Sequence, residues 1–268
     1  MKWCLLLLVA LAATGDTPAP AQAPAATSPR PGMIFAQTVR AGTTILPGSP
    51  GAKTRPLTRG ENFPASGQLL TVPADEALAL ILSNGDALYL PAGGRMTLDE
   101  FTQDPIFLTD HDRDYEPSRS TLRLNLALGT LAVSGRKPVP TSSLTLVTPL
   151  AQLTFHSQSL VVQVEADKLT VTLFDGTVDV KVPETGFHDT ILGGQTSTLA
   201  RPDLHATYPL KTSAITAENN DRLNGWLTAA RTVENRLTFI GSGKNSTVYQ
   251  RVPFSFPQQM SADDPRYH

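Results

Sequence analysis

The residues of this chain best suited by type and spacing to chemistry are four acids in one polar stretch, Asp110, Asp112, Asp114 and Glu116. Carboxylates at alternate positions are how a calcium loop begins, because a hard cation gathers several oxygen ligands. The complete loop needs Gly at its sixth place and Glu at its twelfth, and Tyr115 and Thr121 stand there instead. The stretch therefore reads as a solvated loop, with calcium binding as the alternative. Paired acids are also the tools of a glycosidase, which holds two carboxyls roughly 5 to 9.5 Å apart. Hydrolysis of a polysaccharide is thus the enzymatic reading of these residues.

The histidines are His111, His156, His188, His205 and His268, and no two stand four residues apart as zinc ligands on a helix would. His156 beside Ser157 and Ser159 is the one place where base and nucleophile types adjoin. A working triad also needs an orienting acid that only folding supplies, and the chain has no Gly-x-Ser-x-Gly elbow. A surface histidine is the plainer reading. Gly241, Ser242, Gly243, Lys244, Asn245 and Ser246 partly match a phosphate loop, but the first glycine is misplaced and Asn245 separates Lys244 from Ser246. Asn245, Ser246 and Thr247 form a glycosylation sequon, meaningful only in a eukaryotic secretory route. The single cysteine, Cys4, permits no internal disulfide and no multi-cysteine metal site. No catalytic, cofactor-binding or metal-ligating residue is assigned, and the expectation is a non-enzyme without a cofactor.

Charge narrows the partners. With 22 basic and 24 acidic residues the formal net charge is -2, and no basic block occurs, so the electrostatic footprint of a nucleic-acid binder is missing. Lys2 precedes an apolar run at 4–13, whose ten residues suit a signal-peptide core of roughly 7 to 15 and fall short of the roughly 20 of a membrane-spanning helix. Residues 1–15 are read as a secretory signal cleaved after Ala12 or Gly15, with an uncleaved anchor as the alternative. Cys4 opens the run rather than following it, which argues against a lipid anchor. Residues 16–32, rich in Pro and Ala, read as an extended linker.

What must position any site is a β domain over 33–200. Short apolar runs broken by Gly, Pro, Asn and Asp predict an all-β sandwich or roll of antiparallel strands. Two hairpins are expected. One turns at Asp175 and Gly176, setting Leu173 opposite Val178, Val171 opposite Val180 and Leu169 opposite Val182, with all six on one face. The other turns at Asn84 and Gly85, setting Leu82 opposite Ala87, Ile81 opposite Leu88 and Ala79 opposite Leu90. Its faces are both apolar, so a central pair covered on both sides is expected, with a short helix over 74–82 as the alternative. Separate strands are expected at 121–127, 129–133, 144–147, 151–155, 160–164 and 189–192. Over 213–239, Ile215, Leu223, Trp226, Leu227, Ala230, Val233 and Leu237 have the spacing of one amphipathic helix. Residues 240–268 read as an irregular tail.

Between about Gly67 and Ala200 stand, in order, LALILSNGDALYL (78–90), LALGTLAV (126–133), Thr148, Pro149 and Ala151 before a strand, LTVTLFDGTVDVKV (169–182) with its Asp-Gly turn, and LGGQ (192–195). On these elements the stretch resembles the periplasmic FecR-type domain of bacterial envelope proteins. Where such domains usually carry an Arg-Gly-Thr-like step, this chain reads FHSQS (155–159). Well-known members also carry a sigma-factor-binding segment and a membrane helix before the domain, where this chain has only the signal and linker. The resemblance implies a secreted or periplasmic module that binds or scaffolds, with an envelope protein or glycan as partner and no transmembrane span after signal cleavage. Its candidate contact regions are 109–120, 156–159 and the C-terminal helix. Two other readings stand beside it: an envelope polysaccharide hydrolase, and a sensor coupling to a membrane partner through Trp226 and an exposed apolar stripe on its helix.

Overall fold

The computed structural model describes residues 28–105, 115–234, 237–241 and 249–253. The signal segment, most of the linker and the sequon lie outside them.

The fold is all-β with one C-terminal helix, organised around one long strand, Ser120–Ser134. Its first half pairs with Arg95–Gln103 and, in parallel, with Ser143–Val147. Its second half pairs with Ala87–Leu90 and Ser159–Val164. The strands expected separately at 121–127 and 129–133 are therefore one strand that passes from one sheet to the other. Gly129 makes the passage: its φ is +102°, and a Cβ there would sit 2.7 Å from the Gly94 Cα. Only glycine tolerates both the backbone and the approach.

The first sheet runs Arg55–Pro56, Thr44–Leu46, Gln68–Thr71, Arg95–Gln103, the long strand, Ser143–Val147, Gln152–His156, Thr177–Lys181 and His188–Leu192. Arg30–Pro31 adds two residues beside Arg95–Gln103. The second runs Asn62–Pro64, Met33–Val39, Leu78–Leu82, Ala87–Leu90, the long strand, Ser159–Val164, Lys168–Leu173, Gln195–Ala200 and Leu210–Ala214. Their inner faces close on one core that includes Ile34, Leu80, Leu88, Leu124, Val133, Leu153, Val162 and Leu199. Each such side chain, fully removed from water, contributes about 1.5–3 kcal/mol before the entropy of ordering is set against it.

The turn at Asp175 corrects the expected hairpin. Leu169, Val171, Leu173, Val178, Val180 and Val182 all reach the core, as their alternation requires. Yet their strands do not pair. Val171 pairs with Val162 and Ser197 in the second sheet, while Val180 pairs with Leu153 and Asp189 in the first. Asp175 and Gly176 form an arch that carries the chain across the core. Alternation reports which face is apolar and leaves open which strand supplies the hydrogen bonds. The Asp175 carboxylate accepts from the Gln158 N–H at 2.7 Å and the Ser157 hydroxyl at 3.1 Å, which pins the arch to the preceding turn.

The Asn84 hairpin does form, shifted by one residue. Ile81 lies opposite Ala87, Leu80 opposite Leu88 and Leu78 opposite Leu90. The Leu82 N–H donates to the Asp86 carbonyl at 2.8 Å, so the loop is Ser83, Asn84 and Gly85, with Gly85 at φ +96°. Three-residue loops of this kind place glycine in the left-handed region. All five residues of Leu78–Leu82 are buried, so neither face specified a register. Leu78, Leu80 and Leu82 enter the core, and Ala79 and Ile81 lie on the other face.

That other face is roofed by the helix, Ala217–Glu234, shorter than expected because Ser213 and Ala214 finish a strand. Leu237–Gly241 is a strand paired with Tyr249–Pro253, which replaces the end of the expected helix, Leu237 included, and part of the expected irregular tail. Val233 packs with Ala79, Ile81 and Ala87, and Leu223 packs with Ala132 and Val161. Small alanines on the sheet admit the helix closely.

Candidate functional site

The helix covers only the middle of the second sheet, and the outer face of the first sheet carries no such cover among the described residues. Strand pairing aligns its outward side chains in rows. Arg123, Thr145, Thr154, Asp179 and Thr190 form one row, and Asn125, Val147, Gln152, Lys181 and His188 another. An open depression of about 460 Å³ lies at the far end, lined by Gln152, Thr154, Asp179, Lys181, His188, Asp189 and Thr190. Asp179 is held from two sides. The Thr190 hydroxyl donates to its Oδ1 at 2.8 Å, and the His156 Nε2 lies 3.6 Å from its Oδ2. Both partners of that His–Asp contact are half exposed, so it contributes at most about 1 kcal/mol, and only when the imidazole is protonated. Acids, a lysine, amides and hydroxyls on a flat strand face can recognise a polar surface.

Of the residues singled out from the sequence, Ser157 and Ser159 serve the fold. The Ser157 hydroxyl donates to Asp175 and accepts the Ser159 N–H at 3.2 Å. The Ser159 hydroxyl accepts from the Arg231 guanidinium at 3.2 Å, tying the helix to the sheet. His156, at the end of its strand, turns to Asp179 on the outer face. Asp179 had no distinguishing mark in the sequence beyond its place in an alternating strand, which is the one signal that could have found it.

Asp110, Asp112, Asp114 and His111 lie outside the described residues. Glu116, the last of the four acids, is buried in a polar knot beneath the Asn84 loop. The Asn84 side-chain amide donates to Asp86 Oδ2 at 2.8 Å, to Glu116 Oε1 at 3.1 Å and to Ser120 Oγ at 3.1 Å. The Ser120 hydroxyl also donates to Glu116 Oε1 at 3.1 Å. Burial pushes the Glu116 carboxyl above the ordinary glutamate value, opposed by hydrogen bonds from Ser142, Ser120, the backbone at Val139 and Asn84. The adjoining cavity is about 20 Å³, room for about one water and far too little for a sugar ring. A Cβ on Gly135 would collide with Asp86 Oδ1, so the knot is closed by backbone on that side. Asp86 and Glu116 thus share an amide donor that joins a hairpin loop to the segment before the long strand.

His205 lies 3.4 Å from Glu184, both well exposed. Gly241 ends a strand, and 242–248 fall outside the described residues. Among the described residues, no group of three His, Cys, Asp or Glu is placed to hold a metal ion, and no helix is long and apolar enough to cross a membrane.

The fold and this site define the chain as a two-sheet β module with a polar face. No family model matches the sequence, and no curated protein does. Two crystal structures of a candidate anti-sigma factor from Parabacteroides distasonis, at 2.50 Å and 1.65 Å, are similar to it at 15% identity and a TM-score of 0.41. Each match covers 57% of this chain and 62% of that one, so the chain spans less than two thirds of the protein it matches. The FecR-type resemblance rests on the sequence elements that carry it.

Proposed function

We propose that the chain is an exported module of the bacterial cell envelope, periplasmic or secreted, that works by binding a protein partner on the bare outer face of its first sheet. The observation that carries this reading is the face itself: registered rows of mostly polar side chains, partly exposed toward the long strand and exposed at Asp179, Lys181, His188 and Thr190, ending in the depression around Asp179 and Lys181. Its mixed charge and hydroxyls suit another protein's polar surface. The residues lining the depression include no Phe, Tyr or Trp, the rings that commonly stack on sugars. Of the acids considered for hydrolysis, Glu116 is turned inward to the Asn84 knot, beside a cavity of about 20 Å³ that is too small for a sugar ring. The sensor reading loses its stripe, because Leu223, Leu227, Ala230 and Val233 are packed against the sheet rather than left exposed.

Export is tested by fusing residues 1–32 to alkaline phosphatase, which gains activity only outside the cytoplasm. Binding is tested by cross-linking the full chain in envelope preparations beside Lys181→Glu and Thr154→Arg variants. The expected result is a discrete cross-linked protein that both substitutions abolish. An unchanged cross-linking pattern sinks the assignment of this face, and co-sedimentation with purified peptidoglycan sacculi would move the partner to a glycan.

A further inference from the structure

Among the described residues, the strands that end the two sheets are protected against further pairing in every case but one. Arg30–Pro31, Arg55–Pro56 and Asn62–Pro64 are two or three residues long and each contains a proline, which cannot donate to a neighbouring strand. His188–Leu192 protects itself differently. The Val182 N–H bonds to the Phe187 carbonyl and the Gly193 N–H to the Gly176 carbonyl, so the amides of residues 188, 190 and 192 point away from the sheet. Two of them are taken by side chains: the Thr190 N–H donates to Asp189 Oδ1 at 2.8 Å and the Leu192 N–H to Gln195 Oε1 at 3.0 Å.

Among the described residues Leu210–Ala214 has neither device, and its one charged side chain, Lys211, is paired with Asp203 at 2.7 Å. The Ile215 N–H bonds to the Gly194 carbonyl, so by the alternation of an antiparallel ladder Ser213 and Lys211 bond inward. The N–H and C=O of Leu210, Thr212 and Ala214 face outward, and four of the five residues are exposed. Beside the start of this strand stands Tyr208, 80% exposed, the barest large hydrophobic side chain among the described residues.

We propose that the chain self-associates through this edge, two copies pairing antiparallel about a twofold axis at Thr212. The strand is complementary to itself. Thr212 meets Thr212, Leu210 meets Ala214, and Lys211 meets Ser213, so no like charges oppose and a large side chain faces a small one. Each outward residue both donates and accepts, which makes the contact isologous and closed. Backbone bonds alone barely offset the cost of joining two molecules. Tyr208 adds apolar area, because the same register brings it beside Ile215 and Thr216 of the second copy.

Sedimentation velocity of the full chain from micromolar to millimolar concentration tests this, with three variants. Thr212→Pro removes an outward N–H, a position where an edge strand tolerates proline, and is expected to keep its thermal midpoint within a few degrees while weakening the dimer about tenfold or more. Tyr208→Ser is expected to weaken it by a smaller factor. Ser213→Pro removes an inward bond and is expected to lower the thermal midpoint instead. Hydrogen exchange on the unmodified chain gives an independent reading: the Thr212 and Ala214 amides should slow as concentration rises, while that of Leu192 should not change. A chain that stays monomeric through the millimolar range overturns the proposal. So does a Thr212→Pro variant that dimerises like the parent, or an exchange rate at Thr212 independent of concentration.

Discussion

The two sheets differ in what covers their outer faces. On the second, Ala79, Ile81, Ala87, Ala132 and Val161 turn outward, and the helix from Ala217 to Glu234 must cover them. On the first, Thr145, Thr154, Asp179, Lys181 and Thr190 turn outward, and water suffices. An apolar outer face spends a helix on stability, whereas a polar one stays open to a partner. The contrast gives the C-terminal helix, expected as a contact region, a part in covering the second sheet, and leaves the first sheet's outer face as the proposed contact surface.

The comparison breaks most readily at the helix. Leu227→Ala should destabilise the protein by about 2–5 kcal/mol, read as a lower denaturant midpoint, because it opens a cavity between helix and sheet. If the loss is under about 0.5 kcal/mol, the helix is not the cover described. Gly129→Ala attacks the strand that links both sheets. It combines a left-handed backbone with a collision at Gly94, for an expected loss of about 1–3 kcal/mol or more.

Glu116→Gln should act in the opposite sense and more weakly. The folded carboxyl holds its proton to higher pH than the unfolded one, so stability falls as pH rises from the ordinary glutamate value through the raised folded value. The amide variant lacks this dependence and can still accept from Asn84 and Ser120 through its carbonyl. It should therefore melt above the parent at neutral pH, with the gap closing on acidification toward pH 4. A constant gap across that range would show that Glu116 does not titrate as described. Smallest of all, Lys181→Ala on the bare face should change stability by less than about 0.5 kcal/mol while weakening partner binding. A stability loss of several times that size would mean the first sheet's outer face is structural too.

Side-chain order along the chain determined much of this protein by itself. Val171 and Val180 were destined for a dry interior by their place in an alternating run, as were Leu223 and Leu227 by helical spacing. The strand class and the glycine punctuation are local properties, and these survive translation from sequence to structure. Only the tertiary structure decided partners. It sent the two halves of the Asp175 run into different sheets, slid the Asn84 hairpin by one residue, joined two expected strands through Gly129, and drew Glu116 in to Asn84 across 32 positions. The physical reason is that burial depends on a residue's own face, whereas pairing depends on which of many equally apolar strands arrives beside it, a choice made by the packing of the whole core.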